Sequence, residues 1–271
     1  MKILKRFFWG LIIGLAKVIP GVSGSMIAIS LNIYEPAINS FCNFFSNIKK
    51  NFLYLCPLFI GIIISIIFSS KIVIYLLNNY YVITIFSFLG LIIGSIHDVC
   101  KHTNKKYTSL TVISFTILFL LSFKSVHNYI IIDNSLISFI IYFIIGFIDA
   151  MCMIIPGLSG TAVLMMLGCY EVLMQLLSSL TDFSHIIDKI LFLLPFSIGL
   201  FIGILFFTKL VHYLFNKHYE KSYNVILGFL LASILCMIKS TFQYHINIKD
   251  ILISLIIFTF NYFVIKKINH L

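Results

Sequence analysis

The sequence predicts an all-α polytopic membrane protein, an inverted repeat in which each half is a re-entrant helical hairpin followed by three transmembrane helices. Three observations predict it: a composition too apolar for solution, one helix-breaking motif written twice, and an uneven spread of lysine. Of the 271 residues, 61% are hydrophobic and 10% are charged. A soluble domain carries about 25% charged residues. Runs such as PLFIGIIISIIF (57–68) and FLLPFSIGLFIGILFF (192–207) continue beyond a soluble core helix, and apolar spans of about 20 residues read as membrane crossings. The whole chain, 1–271, is expected to be a single membrane domain.

The formal net charge is +10. In a soluble protein that excess would suggest nucleic acid. In a membrane protein it reads instead as lysine gathered in cytoplasmic loops near anionic lipid heads, with no nucleic-acid partner. The six cysteines, at 42, 56, 100, 152, 169 and 236, show no C-x-x-C pair and read as small apolar fillers, with no metal site and no cofactor. The N-terminal MKILKR followed by FFWGLIIGLAKVI resembles a leader. Lys17 interrupts its apolar stretch, however, and the same pattern recurs at 146–171, so the segment is expected to stay in the mature protein.

The repeat is specific. Residues 10–35 align with 146–171 at an offset of 136, with ten of 26 positions identical. The identities include Ile19/Ile155, Pro20/Pro156, Gly21/Gly157, Ser23/Ser159, Gly24/Gly160, Tyr34/Tyr170 and Glu35/Glu171, and Ser25 falls on Thr161. At an offset of 138, Pro57, Gly61, Lys71 and Tyr75 fall on Pro195, Gly199, Lys209 and Tyr213. Shared hydrophobicity does not align proline, glycine, serine, lysine and glutamate together. The repeats are expected at about 7–123 and 137–267. In the first, a broken segment at 7–38 precedes spans at 52–77, 81–97 and 108–123. In the second, a broken segment at 137–180 precedes spans at 190–215, 222–239 and 251–265.

Each broken segment is expected to have two arms, the first pair at 7–19 and 24–38. An arm of about 13 residues reaches only about 20 Å, short of the roughly 30 Å hydrocarbon core. Lysine placement favours re-entry over a kinked crossing. If the segment returns to its own side, the cytoplasmic parts hold Lys2, Lys5, Arg6, Lys49, Lys50, Lys101, Lys105, Lys106, Lys217, Lys221, Lys266 and Lys267. The outer loops then hold Lys124, Lys189, Lys239 and Lys249, as the positive-inside rule requires. Both termini are then cytoplasmic. Three crossings per half is odd, so the second half is inverted, and inverted repeats with broken helices near the midplane are a transporter architecture.

The breaks themselves carry chemistry. Pro20 lacks an N–H and ends the first arm, while Gly21 and Gly24 permit a tight turn and close backbone approach. The next arm begins with unpaired amides, which in lipid must be buried in protein or line a wet cavity. Such amides with a helix dipole form an anion site, and Ser23, Ser25, Ser159 and Thr161 add hydroxyl donors. Two hairpins entering from opposite faces would form a cradle for a phosphate or carboxylate from Pro20, Gly21, Ser23, Gly24, Ser25, Pro156, Gly157, Ser159, Gly160 and Thr161.

The signatures IPGVSGS…NIYE and IPGLSGT…GCYE resemble the paired motifs of the DUF368 family, bacterial membrane proteins regarded as polyprenyl-phosphate (undecaprenyl-phosphate) transporters. The resemblance covers nearly the whole chain. It implies a flippase that returns the lipid carrier from the outer to the inner leaflet of the cytoplasmic membrane for reuse in cell-wall synthesis. It also implies an anion site for the head and a lateral opening for the tail. The first motif departs from the family's usual S-G-G, with Ser25 in place of glycine, and Asn32 stands where glycine is usual and Gly168 keeps it.

The remaining intramembrane charges are functional candidates. Lys71 and Lys209 occupy matched positions and are expected to meet the phosphate, or to snorkel. Lys17 faces Met153 in the repeat and Asp149 faces Ile13, so neither has a counterpart. Lys17 and Asp149 are expected to pair with each other or to help proton coupling, the coupling ion being unidentified. Glu35 and Glu171, which end the second arms, are expected to pair with lysines or to carry a coupling proton. Two rival readings remain. G-x-S-G also occurs in intramembrane serine proteases, but a nucleophile needs a base within reach, and His97 and His212 fall near helix ends. A small-anion channel or carrier would use the same hairpins without a lateral opening.

Overall fold

The structure, a computed structural model, describes residues 2–22, 24–123, 136–155, 158–182, 186–244 and 247–268. Every regular element among them is helical. The first broken segment is α1 (Lys2–Val18), α2 (Gly24–Ser30) and α3 (Tyr34–Cys42), followed by α4 (Ile48–Asn79), α5 (Tyr81–Lys101) and α6 (Thr108–Phe123). The second is α7 (Leu136–Ile154), α8 (Gly160–Met166) and α9 (Tyr170–Ser179), followed by α10 (Ile186–Lys217), α11 (Tyr219–Thr241) and α12 (Ile248–Ile268).

Among the described residues six helices are long and apolar enough to cross a membrane: α4, α5, α7, α11, Lys189–Phe215 of α10 and Ile248–Lys266 of α12. Phe68 and Ile72 on α4, and Ile256 and Phe260 on α12, point outward, where lipid tails are as apolar as the side chains. The chain is a multi-pass membrane protein. Helix α6 covers the span expected at 108–123, and the residues that follow it lie outside those described. Helix α7 has 19 residues, about 28 Å at 1.5 Å each, longer than the arm of about 13 residues counted in the first broken segment.

The return arm also differs from the expected single helix. It is split in each half, into α2 and α3 and into α8 and α9, and the second pair is bent by 114°. The cause is the same in both. Asn32 (φ 55°) and Gly168 (φ 73°) adopt the left-handed conformation. Ile33 N–H then donates to Ala28 O at 2.9 Å, and Cys169 N–H to Leu164 O at 2.9 Å. These six-to-one bonds, with those of Asn32 to Ile29 O and Gly168 to Met165 O, are Schellman terminations. Asparagine is tolerated there because its short polar side chain makes the left-handed region accessible.

Glycines set the helix pairing. A Cβ on Gly10 would strike Leu58 O, and one on Gly61 would strike Phe7 O. Gly146 and Gly199 repeat this against Phe196 O and Phe143 O, and such close backbone approach is how membrane helices gain dispersion contact. Direction follows from the succession of contacts. Arg6 donates to Leu53 O at 3.3 Å, Gly10 meets Leu58 and Gly61, and Gly14 meets Ile62 and Ser65. Contacts advance together along both helices, so α1 and α4 run parallel, and the chain between them returns to the end from which α1 set out. The pairs α7 and α10, α6 and α11, and α5 and α12 are parallel on the same grounds.

The core is built around α5, α8, α9 and α11, with Ile85, Ile92, Leu173, Leu230 and Met237 almost wholly buried. At one end of the bundle Asn104 N–H donates to Asn224 Oδ1 at 3.0 Å, and Asn104 Nδ2 to Glu220 Oε2 at 2.8 Å. Elsewhere the rings of Tyr81 and Tyr244 stack at 3.9 Å.

Candidate functional site

The two breaks meet in the interior. Each first arm ends in the same turn, with Val22 N–H on Ile19 O at 3.3 Å and Leu158 N–H on Ile155 O at 3.4 Å. Pro20 is fully buried. Gly21 has φ 89°, and a Cβ there would lie 2.7 Å from Ile92 N on α5, so only glycine fits both the backbone and the space. Its N–H crosses to the other motif and donates to Ser159 Oγ at 3.0 Å.

Ser159 Oγ also caps α8, accepting from Ala162 N–H at 3.4 Å, and lies 3.0 Å from Thr161 Oγ1. A hydroxyl has two acceptor lone pairs and one hydrogen. With both lone pairs taken by amides, the Ser159 hydrogen goes to Thr161. The Thr161 hydrogen then has no acceptor among the described residues. Ser159 is therefore a positioning residue, and Thr161 is the donor left to offer. Both are buried, as is Ser25. Ser23, Pro156 and Gly157 lie outside the described residues.

A second pair of bonds locks the breaks together. Tyr170 O–H donates to Val18 O at 2.7 Å, and Tyr34 O–H donates to Ile154 O at 3.1 Å. Val18 and Ile154 are the last residues of α1 and α7, whose terminal carbonyls lack helical partners. Each half thus supplies the tyrosine that satisfies the other half's broken helix. Neither tyrosine is among the site residues expected from the sequence, although both are identical in the repeat and adjoin Glu35 and Glu171.

One ion pair joins the halves beside these turns. Lys17 Nζ lies 2.6 Å from Asp149 Oδ1, with the lysine side chain 17% and the aspartate 2% exposed. Gly160 packs on both: a Cβ there would overlap Asp149 Oδ1 and lie 3.0 Å from Lys17 Nζ. A Cβ on Gly24, its counterpart, would find its nearest neighbour among the described residues at 3.7 Å. The same glycine of the motif is thus open in the first half and filled by the ion pair in the second.

Lys17, Ser25, Gly24, Gly160, Thr161 and Leu158 line a cavity of about 20 Å³ between the two turns. The return helices that begin there, α2 and α8, have seven residues each, about 10 Å of aligned peptide dipoles. An anion in this cavity meets hydroxyls and an ammonium more than a long helix dipole. The other candidates lie elsewhere. Lys71 and Lys209 are exposed on α4 and α10 among the outward-facing Phe68, Ile72, Phe206 and Leu210, where a lysine stem lies along apolar surface and the head reaches for water. Glu35 is exposed on α3, and Glu171 is half-buried on α9 beside the Tyr81 hydroxyl. His97 is exposed, and the His212 side chain lies outside the described residues. Among the described residues no group of three or more His, Cys, Asp or Glu is placed to hold a metal ion.

A helical membrane protein with two broken segments meeting at a buried, hydroxyl-lined cavity is the architecture of a membrane carrier. The chain belongs to the undecaprenyl phosphate translocase-like family, which it matches over residues 13–252, the family introduced above as DUF368. A protein of Staphylococcus aureus (strain NCTC 8325 / PS 47) named polyprenyl-phosphate transporter is 28% identical over 278 residues, covering 96% of each chain. One of the same name from Vibrio cholerae serotype O1 (strain ATCC 39315 / El Tor Inaba N16961) is 28% identical over 267 residues, covering 91% of this chain and 82% of the relative. No solved structure matches the chain significantly.

Proposed function

We propose that this protein carries polyprenyl phosphate across the bacterial cytoplasmic membrane, from the outer to the inner leaflet, returning the lipid carrier for cell-wall synthesis. The observation that carries the reading is the convergence of the two I-P-G-x-S-G turns on one buried cavity with hydroxyls and a lysine at its wall. The relatives' names and the family match support the substrate class. In this reading the halves are inverted repeats. Parallel packing of α1 with α4, of α7 with α10 and of α6 with α11 supports that, because with single-residue turns at Tyr80 and His218 it points α1 and α7 in opposite directions. Each broken segment is then a re-entrant hairpin, the termini are cytoplasmic, and the two turns share the midplane. A cavity of about 20 Å³ holds about one water, so the head enters when the hairpin turns part, with its tail left in lipid.

Among the described residues the partners of Ser159 Oγ are two amides and a threonine hydroxyl. None is a base, which supports transport over acyl chemistry.

Binding tests the substrate class. A ligand that binds only the folded protein stabilises it by about 2.7 kcal/mol at a hundred times its Kd. A long-chain polyprenyl phosphate is expected to raise the melting temperature of the purified protein. Neither the parent polyprenol, which lacks the anion, nor inorganic phosphate, which lacks the tail's apolar contact, should match it. Equal stabilisation by inorganic phosphate would favour a small-anion carrier.

A further inference from the structure

Lys17 and Asp149 stand apart from the duplication. By the repeat alignment their counterparts are Met153 and Ile13, which also line the cavity. At the repeat-related positions the chain therefore carries two apolar residues. A buried ion pair is a poor source of stability, and apolar residues of similar volume commonly serve as well or better. The chain itself contains that alternative, so packing does not require the charges.

The pair's geometry suggests what the charges do. Asp149 is 2% exposed while Lys17 is 17% exposed, so the ammonium is the member nearer open space. It stands at the cavity wall with Thr161, whose hydroxyl hydrogen has no acceptor among the described residues, and with the hydroxyl-bearing Ser25. A phosphate monoester has the negative charge and the acceptor oxygens to meet an ammonium and hydroxyls. Among the described residues the anion in contact with Lys17 is the Asp149 carboxylate.

We infer that Lys17 is the cation that binds the phosphate head, and that Asp149 is an internal substitute anion that holds Lys17 until the head displaces it. This rests on the polyprenyl-phosphate reading above. The exchange lets the empty carrier change conformation without an uncompensated buried charge, which would otherwise be costly. Because Lys17 is on α1 and Asp149 on α7, displacement also removes a tie between the two halves, and the released Asp149 carboxylate is compensated by water entering as the halves part. Head binding and hairpin separation are thereby one event.

The two members of a structural pair weaken a protein together, whereas a ligand and its competitor shift affinity in opposite directions. Melting-temperature titration with a long-chain polyprenyl phosphate is to be run on wild type, Lys17→Gln, Lys17→Arg, Asp149→Asn and the Lys17→Gln/Asp149→Asn double variant. Lys17→Gln should lose about tenfold or more in affinity, the worth of a hydrogen bond to a charged group. Lys17→Arg should retain most of it, and Asp149→Asn should bind several-fold more tightly than wild type. The double variant has no unpaired charge and should fold yet bind as weakly as Lys17→Gln. Wild-type affinity in the double variant would overturn the inference, as would equal losses in Lys17→Gln and Asp149→Asn. Where Asp149→Asn does not fold, the double variant decides alone. A wild-type protein that ignores polyprenyl phosphate but is stabilised by inorganic phosphate fails the functional reading instead.

Discussion

Gly160→Ala is expected to be among the most damaging small substitutions in the protein, while Gly24→Ala, at the same motif position in the other half, is expected to be nearly neutral. The added methyl at 160 would overlap Asp149 Oδ1 and crowd Lys17 Nζ. Overpacking alone costs about 1–3 kcal/mol. If the ion pair parts, an uncompensated buried carboxylate brings the cost to about 3–5 kcal/mol. At Gly24, the first residue of α2, the methyl would meet Ile13 at ordinary contact distance, 3.7 Å. Thermal unfolding of both variants in one detergent checks this. Equal losses would mean that the ion pair does not occupy the space above Gly160.

Tyr170→Phe should be the second large effect. Phenylalanine keeps the ring but removes the donor to Val18 O, leaving a buried terminal carbonyl unsatisfied. Such a group costs about 1–3 kcal/mol. Tyr34→Phe removes the symmetric bond to Ile154 O, but Tyr34 is only half-buried whereas Tyr170 is 1% exposed. Water can reach the freed carbonyl more readily there, so the loss should be smaller. Unfolding of the two variants against wild type measures the difference. Indifference to Tyr170→Phe would show that the hydroxyl does not secure the end of α1.

Much of the fold was legible because its signals are composition and repetition. Apolar runs mark helices whatever their neighbours, and Pro20 and Pro156 mark the broken segments without any knowledge of packing. What was not legible depends on conformation. Asn32 and Gly168 split the return arms because they adopt positive φ, a property the alignment noted only as a departure from the family. The arm length that argued for re-entry was counted on 7–19, and α7 is longer than that arm. At the site, the motif residues were visible as a pattern, but the division of labour was not. Whether Ser159 offers its hydroxyl to a ligand or spends it on Gly21 and Ala162 depends on a contact across 138 residues of sequence. The same is true of Tyr34 and Tyr170, whose partners lie 120 and 152 residues away. Lys71 and Lys209 are matched in sequence, yet their place on the outward faces of α4 and α10 is fixed by which side of each helix packs on the glycines of α1 and α7.

The central claim is carriage of a lipid by its phosphate head, and movement between leaflets tests it most directly. The purified protein is to be reconstituted in liposomes carrying a long-chain polyprenyl phosphate in one leaflet, with its appearance in the other followed over time. The expected result is movement that depends on the protein, that inorganic phosphate competes with poorly, and that Lys17→Gln slows by about tenfold or more. Rapid flux of inorganic phosphate, with no movement of the lipid above protein-free liposomes, would contradict it.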